Sequence, residues 1–445
     1  MPDKLIRDAV HGDMIFSSLE VSLMDTAPVQ RLRGIKQLGV SYLVYPSAVH
    51  TRFEHSLGTC WLAKRIVTAL EQHQGIRLGE RTKNILACAA LLHDLTHIPF
   101  GHTFEDERRL LPRHDETPER LAYFLGQPEL RRPLIRHGIY EAVEAVLRGE
   151  PTEDCPPFVQ EIVAGTVCAD LLDYLRRDAY FCGLAQSYDE RLFQYFALEG
   201  EHLVVDLHKE GAFRHDALSE LIHLLRMRYN LTERVYYHHA KVVAGAMISR
   251  ALELALRAGK VQPTDLYTLR DDSFLYFLRL RGEEVPGLND LLDDFNRRRL
   301  YKRVYFLTVE QFGRAGIAPA QQRELERLYH YNLGGAREQA ERTLAQKLGV
   351  PESAVIIYCP SAKMALKEAT VQVRLSSGPP QPLADLRNPE VQQLLTKHRS
   401  LWRFYVCLRR EYETLTRRAG ELCEELFQAE NLLTLQSRGQ LAFDF

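Results

Sequence analysis

No two of the eight cysteines stand in a C-x-x-C pair, which argues against a zinc ribbon. They are scattered singly, at Cys60, Cys88, Cys155, Cys168, Cys182, Cys359, Cys407 and Cys423, and read as reduced thiols of a cytoplasmic protein, not a disulfide framework. Charge of one sign is also lacking. The 57 Lys and Arg nearly balance the 59 Asp and Glu, for a net charge of −2. No global basic field therefore points to nucleic acid, although a local basic cleft stays open. No apolar run reaches membrane length, and the opening MPDKLIRDAVHG has neither the charged nor the apolar region of a secretory leader. A soluble protein is expected. Repeats and low-complexity segments are absent. What remains is a globular composition, 45% hydrophobic and 26% charged over 445 residues, enough for two or three units or one large helical domain with a lobe.

The most informative stretch is LLHDLTHIPFGHTFEDE, residues 91–107. An apolar run from Ile85 to Leu92 leads into His93 and Asp94. His97 follows one helical turn later, and His102 comes just past the breaker Pro99–Phe100–Gly101. Imidazole and carboxylate at the polar end of an apolar helix are costly to bury unless something uses them, and a divalent cation is the simplest user.

Four other segments supply partners. Residues 4–16, KLIRDAVHGDMIF, alternate weakly around a His-Gly turn and predict a short strand or extended arm. In DTAPVQRLR, residues 25–33, Asp25 and Thr26 are N-cap candidates and Pro28 suits a first turn. Asp25, Gln30 and Arg33 converge near that helix start. A long helix begins in TRFEHSLG, with Arg52 and His55 at its N-terminus, where anions are favoured. Farther on, Asp170, Asp173, Tyr174, Arg177 and Asp178 recur at helical spacing on one stripe. Three acids, a phenol and an arginine in an apolar context suit a site lining; a solvated face is the alternative. Helices are expected from Gln262 through YKRVYFL at 301–307, whereas AVIIYCPS, ATVQVRL and LWRFYVCL read as strands. The expected fold is mainly α, a helical core over residues 1–307 with a smaller C-terminal α+β lobe over 308–445.

His55, the His93–Asp94 pair and Asp170 come from three expected helices, and together fit one ion bound by two imidazoles and two carboxylates. Such a set suits Mn, Fe, Zn or Ni, with Mg accompanying nucleotide phosphates. His97, His102 and His114 lie close in sequence and could protonate a leaving oxygen. Arg52, Arg177 and Arg228 would offset phosphate charge.

The H…HD…D order over these distances resembles the HD superfamily of metal-dependent phosphohydrolases. HTRFEHSLG (50–58), HDLTHIPFGHTFE (93–105), DLLDYLRRD (170–178) and RVYYH (234–238) are similar to the deoxynucleoside triphosphate (dNTP) triphosphohydrolases, above all the vertebrate members that add a SAM domain. The similarity runs from about Lys4 to Arg250, so a core without a SAM domain ahead of it is expected. It implies an HD-type helical fold and a metal on His55, His93, Asp94 and Asp170. His97 and His102 would approach the triphosphate and leaving group, with Glu105 and His114 as a supporting relay and Arg52 on phosphate. Tyr174, Asp178 and Gln37 would surround the sugar, Leu38 and Tyr236 would exclude a 2′-hydroxyl, and Arg228 would contact phosphate. Asp25, Gln30 and Arg33 match a guanine-reading activator site, completed by Lys4 and Leu5 across a subunit boundary in a homotetramer or other dimer of dimers. Three features depart from the family: Leu171 replaces a phosphate-binding lysine, Arg7 an asparagine, and residues around 209–222 contain extra length. They keep alternatives open, namely an HD phosphatase or nuclease acting on monophosphates, cyclic nucleotides or single strands, or a nucleotide-sensing scaffold. dNTP hydrolysis would permit pool control or antiviral defence.

Overall fold

The computed structural model describes residues 3–309, 316–361, 366–376 and 378–433. It is mainly helical. The chain opens on an antiparallel hairpin of β1 (Lys4–Asp8) and β2 (Gly12–Phe16), the expected arm. Two short helices follow, α1 (Ser18–Met24) and α2 (Ala27–Arg31). The second is capped at Thr26 with proline in its first turn, and is shorter than its apolar spacing suggests because it tightens into a 3-10 turn at Leu32–Gly34.

The centre of the molecule is α3 (Arg52–Gln74), flanked by α4 (Glu80–Leu92). A capping box between Thr51 and Glu54 starts α3, and Gly75 in the left-handed conformation ends it. Every residue from Ile85 to Leu92 of α4 is buried. The helix stops there: His93 is its C-cap, residues 93–96 form a turn, and His97 lies beyond it and not on a further helical turn. Next come α5 (Pro118–Leu125), α6 (Pro128–Arg136), α7 (Tyr140–Arg148) and α8 (Pro157–Ala164), then α9 (Ala169–Phe181), which packs along α3.

Beyond β3 (Phe196–Glu199), β4 (His202–Asp206) and the two-residue strands β5 (His208–Lys209) and β6 (Ala212–Phe213) lie the long helices α10 (His215–Leu231) and α11 (His239–Arg257). A π turn at Thr232–Tyr236 separates them. Helices α12 (Asp271–Arg281) and α13 (Leu288–Asn296) pack on α11 in a second apolar core. Residues 301–307, expected to be helical, instead supply β7 (Lys302–Thr308). The short apolar and aromatic run Val304–Leu307, behind Lys302 and Arg303, has no period that separates helix from strand, and here an edge of a buried sheet decides. The strand β7 pairs with β11 (Arg403–Leu408), which also pairs with β8 (Val355–Tyr358), giving the antiparallel order β7-β11-β8. Helices α14 (Pro319–Leu325), α15 (Ala336–Leu348), α16 (Pro389–Arg399) and α17 (Thr416–Phe427) complete the C-terminal part.

Contacts join residues on the two sides of position 307. Strand β9 (Gln372–Arg374) returns to pair in parallel with β4, extending a sheet of order β10-β9-β4-β3, with β10 at Gln381–Pro382. Arg108, fully buried, donates to Glu253 at 2.6 Å and to Glu341 at 2.7 Å, joining the loop after His102 to α11 and α15. All eight cysteines are free and buried. Among the described residues no helix is long and apolar enough to cross a membrane.

Candidate metal centre

Three helix ends converge on one point. The first turn of α3 brings His55, the C-cap of α4 brings His93 with Asp94 behind it, and the first turn of α9 brings Asp170. His55, His93 and Asp170 each offer a ligand atom within 4.8 Å of the others. His55 Nε2 is 3.1 Å from His93 Nε2 and 3.0 Å from Asp170 Oδ1, and the Asp94 oxygens lie 3.6 to 3.7 Å from the two imidazoles.

The tautomers suit this cluster to a cation. His93 donates its Nδ1–H to the Ala90 carbonyl at 2.8 Å, the bond that closes α4. His55 donates its Nδ1–H to Asp173 Oδ2 at 2.7 Å. Both Nε2 atoms therefore present lone pairs to each other and to two carboxylates, an arrangement that only positive charge at its centre can stabilise. Burial works against charge on His55, yet hydrogen bonds to Asp170 and Asp173 and the charge of Asp94 outweigh it, pushing its imidazole up to about 10. Metal ion and proton compete for such a pocket. The donors fit a divalent ion: neutral imidazole nitrogens and carboxylates held ionised. Burial raises Asp94, but Arg52 and the neighbouring histidines hold it well below the ordinary carboxylate range.

Two glycines make room. A Cβ on Gly58, one turn after His55, would fall 1.8 Å from Asp173 Oδ1, so α3 and α9 approach this closely only over glycine. Gly101 has φ +56°, and a Cβ there would sit 2.6 Å from Arg52 Nη2. Phe100 before it is also left-handed at φ 60°, a strained turn secured where Asp271 accepts the Phe100 N–H at 2.7 Å.

A second cluster borders the first. His97, His102, Glu105 and His114 also lie within 4.8 Å of one another. His97 is fully buried, 3.1 Å from Asp94 Oδ1 and stacked on His114 at 3.7 Å. Burial, with Arg52 and His114 nearby, keeps it well below the usual imidazole range and neutral. Glu105 accepts from His102 Nδ1 at 3.1 Å, His114 Nδ1 at 3.4 Å and Arg120 Nη1 at 3.0 Å.

The remaining expected site residues fall into two groups. Near the centre, Arg52 donates to Asp94 at 2.7 Å. Arg228 lies over the rings of Tyr174 (5.3 Å) and Tyr236 (5.0 Å), and its guanidinium pairs with buried Glu368 at 3.3 Å. Tyr236 donates to Asp178 at 2.6 Å. Gln37 is tied by its N–H to the His50 carbonyl, while its buried Oε1 has no partner; Leu38 packs on the main core beside it. Away from the centre, Arg33 rests on Phe53 at 3.6 Å and bonds Gln30 at 2.8 Å, while Asp25, Lys4 and Leu5 are exposed. Leu171 points into the apolar core, and exposed Arg7 pairs with Asp13. Arg177 corrects an expectation: it is fully buried between Asp8 and Asp173 and offers no phosphate contact. The stripe on α9 is thus a lining, buried or half-buried at all five positions, and not a solvated face.

Sequence reading singled out neither His50, which donates to Asp178 at 2.8 Å and stacks on Phe181, nor Arg31, which donates to the Leu95 and His97 carbonyls at 2.9 and 2.7 Å. His50 stands in the quoted HTRFEHSLG and Arg31 between Gln30 and Leu32, so only their neighbours in sequence marked them.

Comparison with known proteins agrees with this geometry. Residues 52–178 match the HD domain and residues 190–431 the HD associated region. The chain belongs to the HD-domain family, in the group that carries the HD associated region. It is 30% identical over 352 residues to the deoxynucleoside triphosphate triphosphohydrolase SAMHD1 of Bos taurus, covering 68% of this chain and 58% of that protein. It is also 30% identical over 306 residues to an uncharacterised protein of Methanocaldococcus jannaschii, covering 68% of this chain and 59% of that one. The chain thus spans under two thirds of these relatives. A hypothetical protein from Aquifex aeolicus shares the fold, with TM-score 0.69 and 24% identity, across 94% of this chain and all of that one.

Proposed function

We propose that the chain hydrolyses dNTPs to a deoxynucleoside and inorganic triphosphate, at a divalent ion held by His55, His93, Asp94 and Asp170. The observation that carries this is the pair of imidazole lone pairs 3.1 Å apart, closed by two carboxylates. The relative from cattle with 30% identity, named for this reaction, supports the substrate. The ion, when bound, polarises a phosphoryl oxygen and acidifies a water molecule. In the reaction, water oxygen bonds to the α-phosphorus, the bond from phosphorus to the 5′-oxygen breaks, and a proton reaches that oxygen. His102 is the acid best placed to give it, oriented by Glu105, while His97 stays neutral beside the phosphates. Arg52 offsets charge next to Asp94. Gln37, Tyr174 and Asp178 receive the sugar, with Leu38 and Tyr236 against its 2′-carbon.

The test of substrate is direct. Metal-loaded protein is incubated with mixed dNTPs, NTPs, dNMPs and single-stranded DNA, and products are separated by chromatography. Deoxynucleoside with triphosphate is expected. Phosphate with nucleoside from a monophosphate would favour an HD phosphatase instead. One feature keeps that second reading alive: Leu171 is buried in the core and Arg228 is already paired with Glu368, which leaves fewer cations for a triphosphate.

Selectivity follows from Tyr236. Excluding one hydroxyl by contact contributes about 1–3 kcal/mol. Tyr236→Ala is therefore expected to narrow the preference for dNTP over NTP by roughly ten- to a hundredfold. Tyr236→Phe keeps the wall and loses only the bond to Asp178, so it should retain most of the preference. Equal discrimination in wild type and Tyr236→Ala would move the sugar pocket elsewhere.

Regulation is the finer part of the proposal. Asp25, Gln30 and Arg33, with Lys4 and Leu5 of a neighbouring copy, form an activator site for a guanine nucleotide, and its occupancy favours a homotetramer or other dimer of dimers by mass action. Arg31 supports coupling, since it reaches inward from between Gln30 and Arg33 to the carbonyls of Leu95 and His97. Arg33→Ala should abolish stimulation of pyrimidine dNTP turnover by dGTP or GTP while metal content and basal turnover persist. Light scattering with and without nucleotide reads the assembly. A wild type that neither responds in rate nor changes mass would remove the regulatory part alone.

A further inference from the structure

The His-Gly turn of the N-terminal hairpin is absorbed by none of the roles above, yet its histidine is buried. The His11 side chain is 1% exposed, and its Nε2 lies 2.7 Å from Asp173 Oδ1. Asp173 itself is fully buried. Its Oδ2 accepts the His55 Nδ1–H at 2.7 Å, and Arg177 closes both oxygens at 2.8 Å. We propose that His11 is a positioning residue for the metal centre, acting through Asp173 on His55. The proposal rests on the reading of His55 as a metal ligand.

The turn is built to deliver that ring. Asp8 accepts the N–H groups of Val10 and His11 at 2.9 Å each, and Gly12 takes φ +74°. The other face of the Asp8 carboxylate binds Arg177 at 2.9 and 3.2 Å. Asp8 and Asp173 thus enclose one guanidinium, and the turn is fixed against α9. Asp173 receives four donors on two oxygens, two from Arg177 and one from each histidine. Each oxygen takes one Arg177 bond and one imidazole bond. Removing His11 leaves Oδ1 with Arg177 alone, and the carboxylate loses one of the four bonds that fix its plane toward His55.

That bond matters because the orientation of His55 decides the centre. Its Nδ1–H must stay on Asp173 for Nε2 to face His93 and Asp170. A carboxylate behind a ligating histidine fixes its tautomer and ring orientation, and loss of such partners costs about 10- to 100-fold in metal affinity. His11 stands one bond farther out, on the same carboxylate. The ring also keeps a buried Nδ1 with no partner, a cost that a residue chosen for packing alone would avoid.

The test uses the full chain loaded with Mn²⁺ and titrated with a chelator series, with bound metal read by elemental analysis. Melting of the metal-free protein is followed in parallel. His11→Leu fills the space without a donor, and His11→Gln restores an N–H near the position of Nε2. His11→Leu is expected to weaken Mn²⁺ binding by about tenfold or more, and His11→Gln to recover most of it. In an Asp173→Asn background the His11→Leu change should add little, because both act on one carboxylate. Equal Mn²⁺ affinity in folded His11→Leu and wild type overturns the proposal, as does full additivity with Asp173→Asn. A deficit shared by His11→Gln that follows the loss of metal-free stability also overturns it, because the role is then only structural. Should His11→Leu fail to fold, His11→Gln against His11→Asn carries the same comparison, since asparagine is too short to reach Asp173; equal affinities there overturn the proposal. His55→Ala separates the layers. If it keeps full Mn²⁺ affinity, the ligand reading fails and takes this proposal with it. If it loses the ion while His11→Leu does not, the role of His11 alone is lost.

Discussion

Replacing His93 and Asp94 together with alanine is expected to remove both the ion and turnover. The two residues supply one imidazole and one carboxylate to a cluster whose remaining members, His55 and Asp170, are 3.0 Å apart. Loss of a single outer partner of a metal ligand costs about 10- to 100-fold. Two direct donors should cost more than that, leaving the centre empty at ordinary metal concentrations. The variant will also be less stable, for a separate reason. Arg52 is buried and pairs with Asp94, and breaking a buried pair from one side costs roughly 3–5 kcal/mol. Asp94→Asn controls for this, because its carbonyl oxygen still accepts from Arg52 while it offers the ion a neutral and weaker ligand. Elemental analysis, thermal melting and product formation are read on the same samples. Full metal content in folded His93→Ala/Asp94→Ala protein would show that the ligand assignment is wrong.

Those residues were legible because they are local in sequence or sit at helix ends. His93 and Asp94 are adjacent and close an apolar helix, and the five polar residues of α9 follow the helical period. Period alone places side chains on one face but does not say whether that face meets water. Only the packing of α9 on α3, over Gly58, turns the stripe inward. The same limit explains Arg177. Its type and spacing suited phosphate, yet Asp8, 169 residues earlier, encloses it.

What sequence did not reveal are contacts between distant elements. His11 reaches Asp173 across 162 positions, and His50 reaches Asp178 across 128. A lone histidine in a turn or before a helix gives no local sign of its partner. Strand β7 departs from expectation for a related reason: the apolar and aromatic run Val304–Leu307 becomes a strand only because β11, about a hundred residues later, pairs with it.

The second large effect is expected at His102. Of the four residues in its cluster it is the one that opens to solvent, with 39% of its side chain exposed against 12% for His114 and none for His97 or Glu105. In the proposed reaction it is the acid that meets the leaving oxygen, and general acids of this kind contribute about 10²- to 10⁴-fold. His102→Ala should lower kcat by that factor at unchanged metal content, which distinguishes it from the ligand variants. Glu105→Gln should lower kcat less, because the amide oxygen still accepts one N–H but no longer holds His102, His114 and Arg120 by charge. Its pH signature is specific. Burial raises the Glu105 carboxyl, but bonds from His102 and His114 outweigh this and hold it far below its ordinary value of 4.5. A carboxyl depressed by folding stabilises the fold fully above the unfolded value, and that contribution drains away as pH falls toward the folded one. Wild type should therefore be more stable than Glu105→Gln at pH 7. The gap should narrow by about 1.4 kcal/mol for each pH unit below roughly 4.5. Urea unfolding of the two proteins between pH 3 and 7 measures it. A gap that stays constant with pH would mean Glu105 carries no charge in the folded relay, and His102 would then lack the partner that orients it.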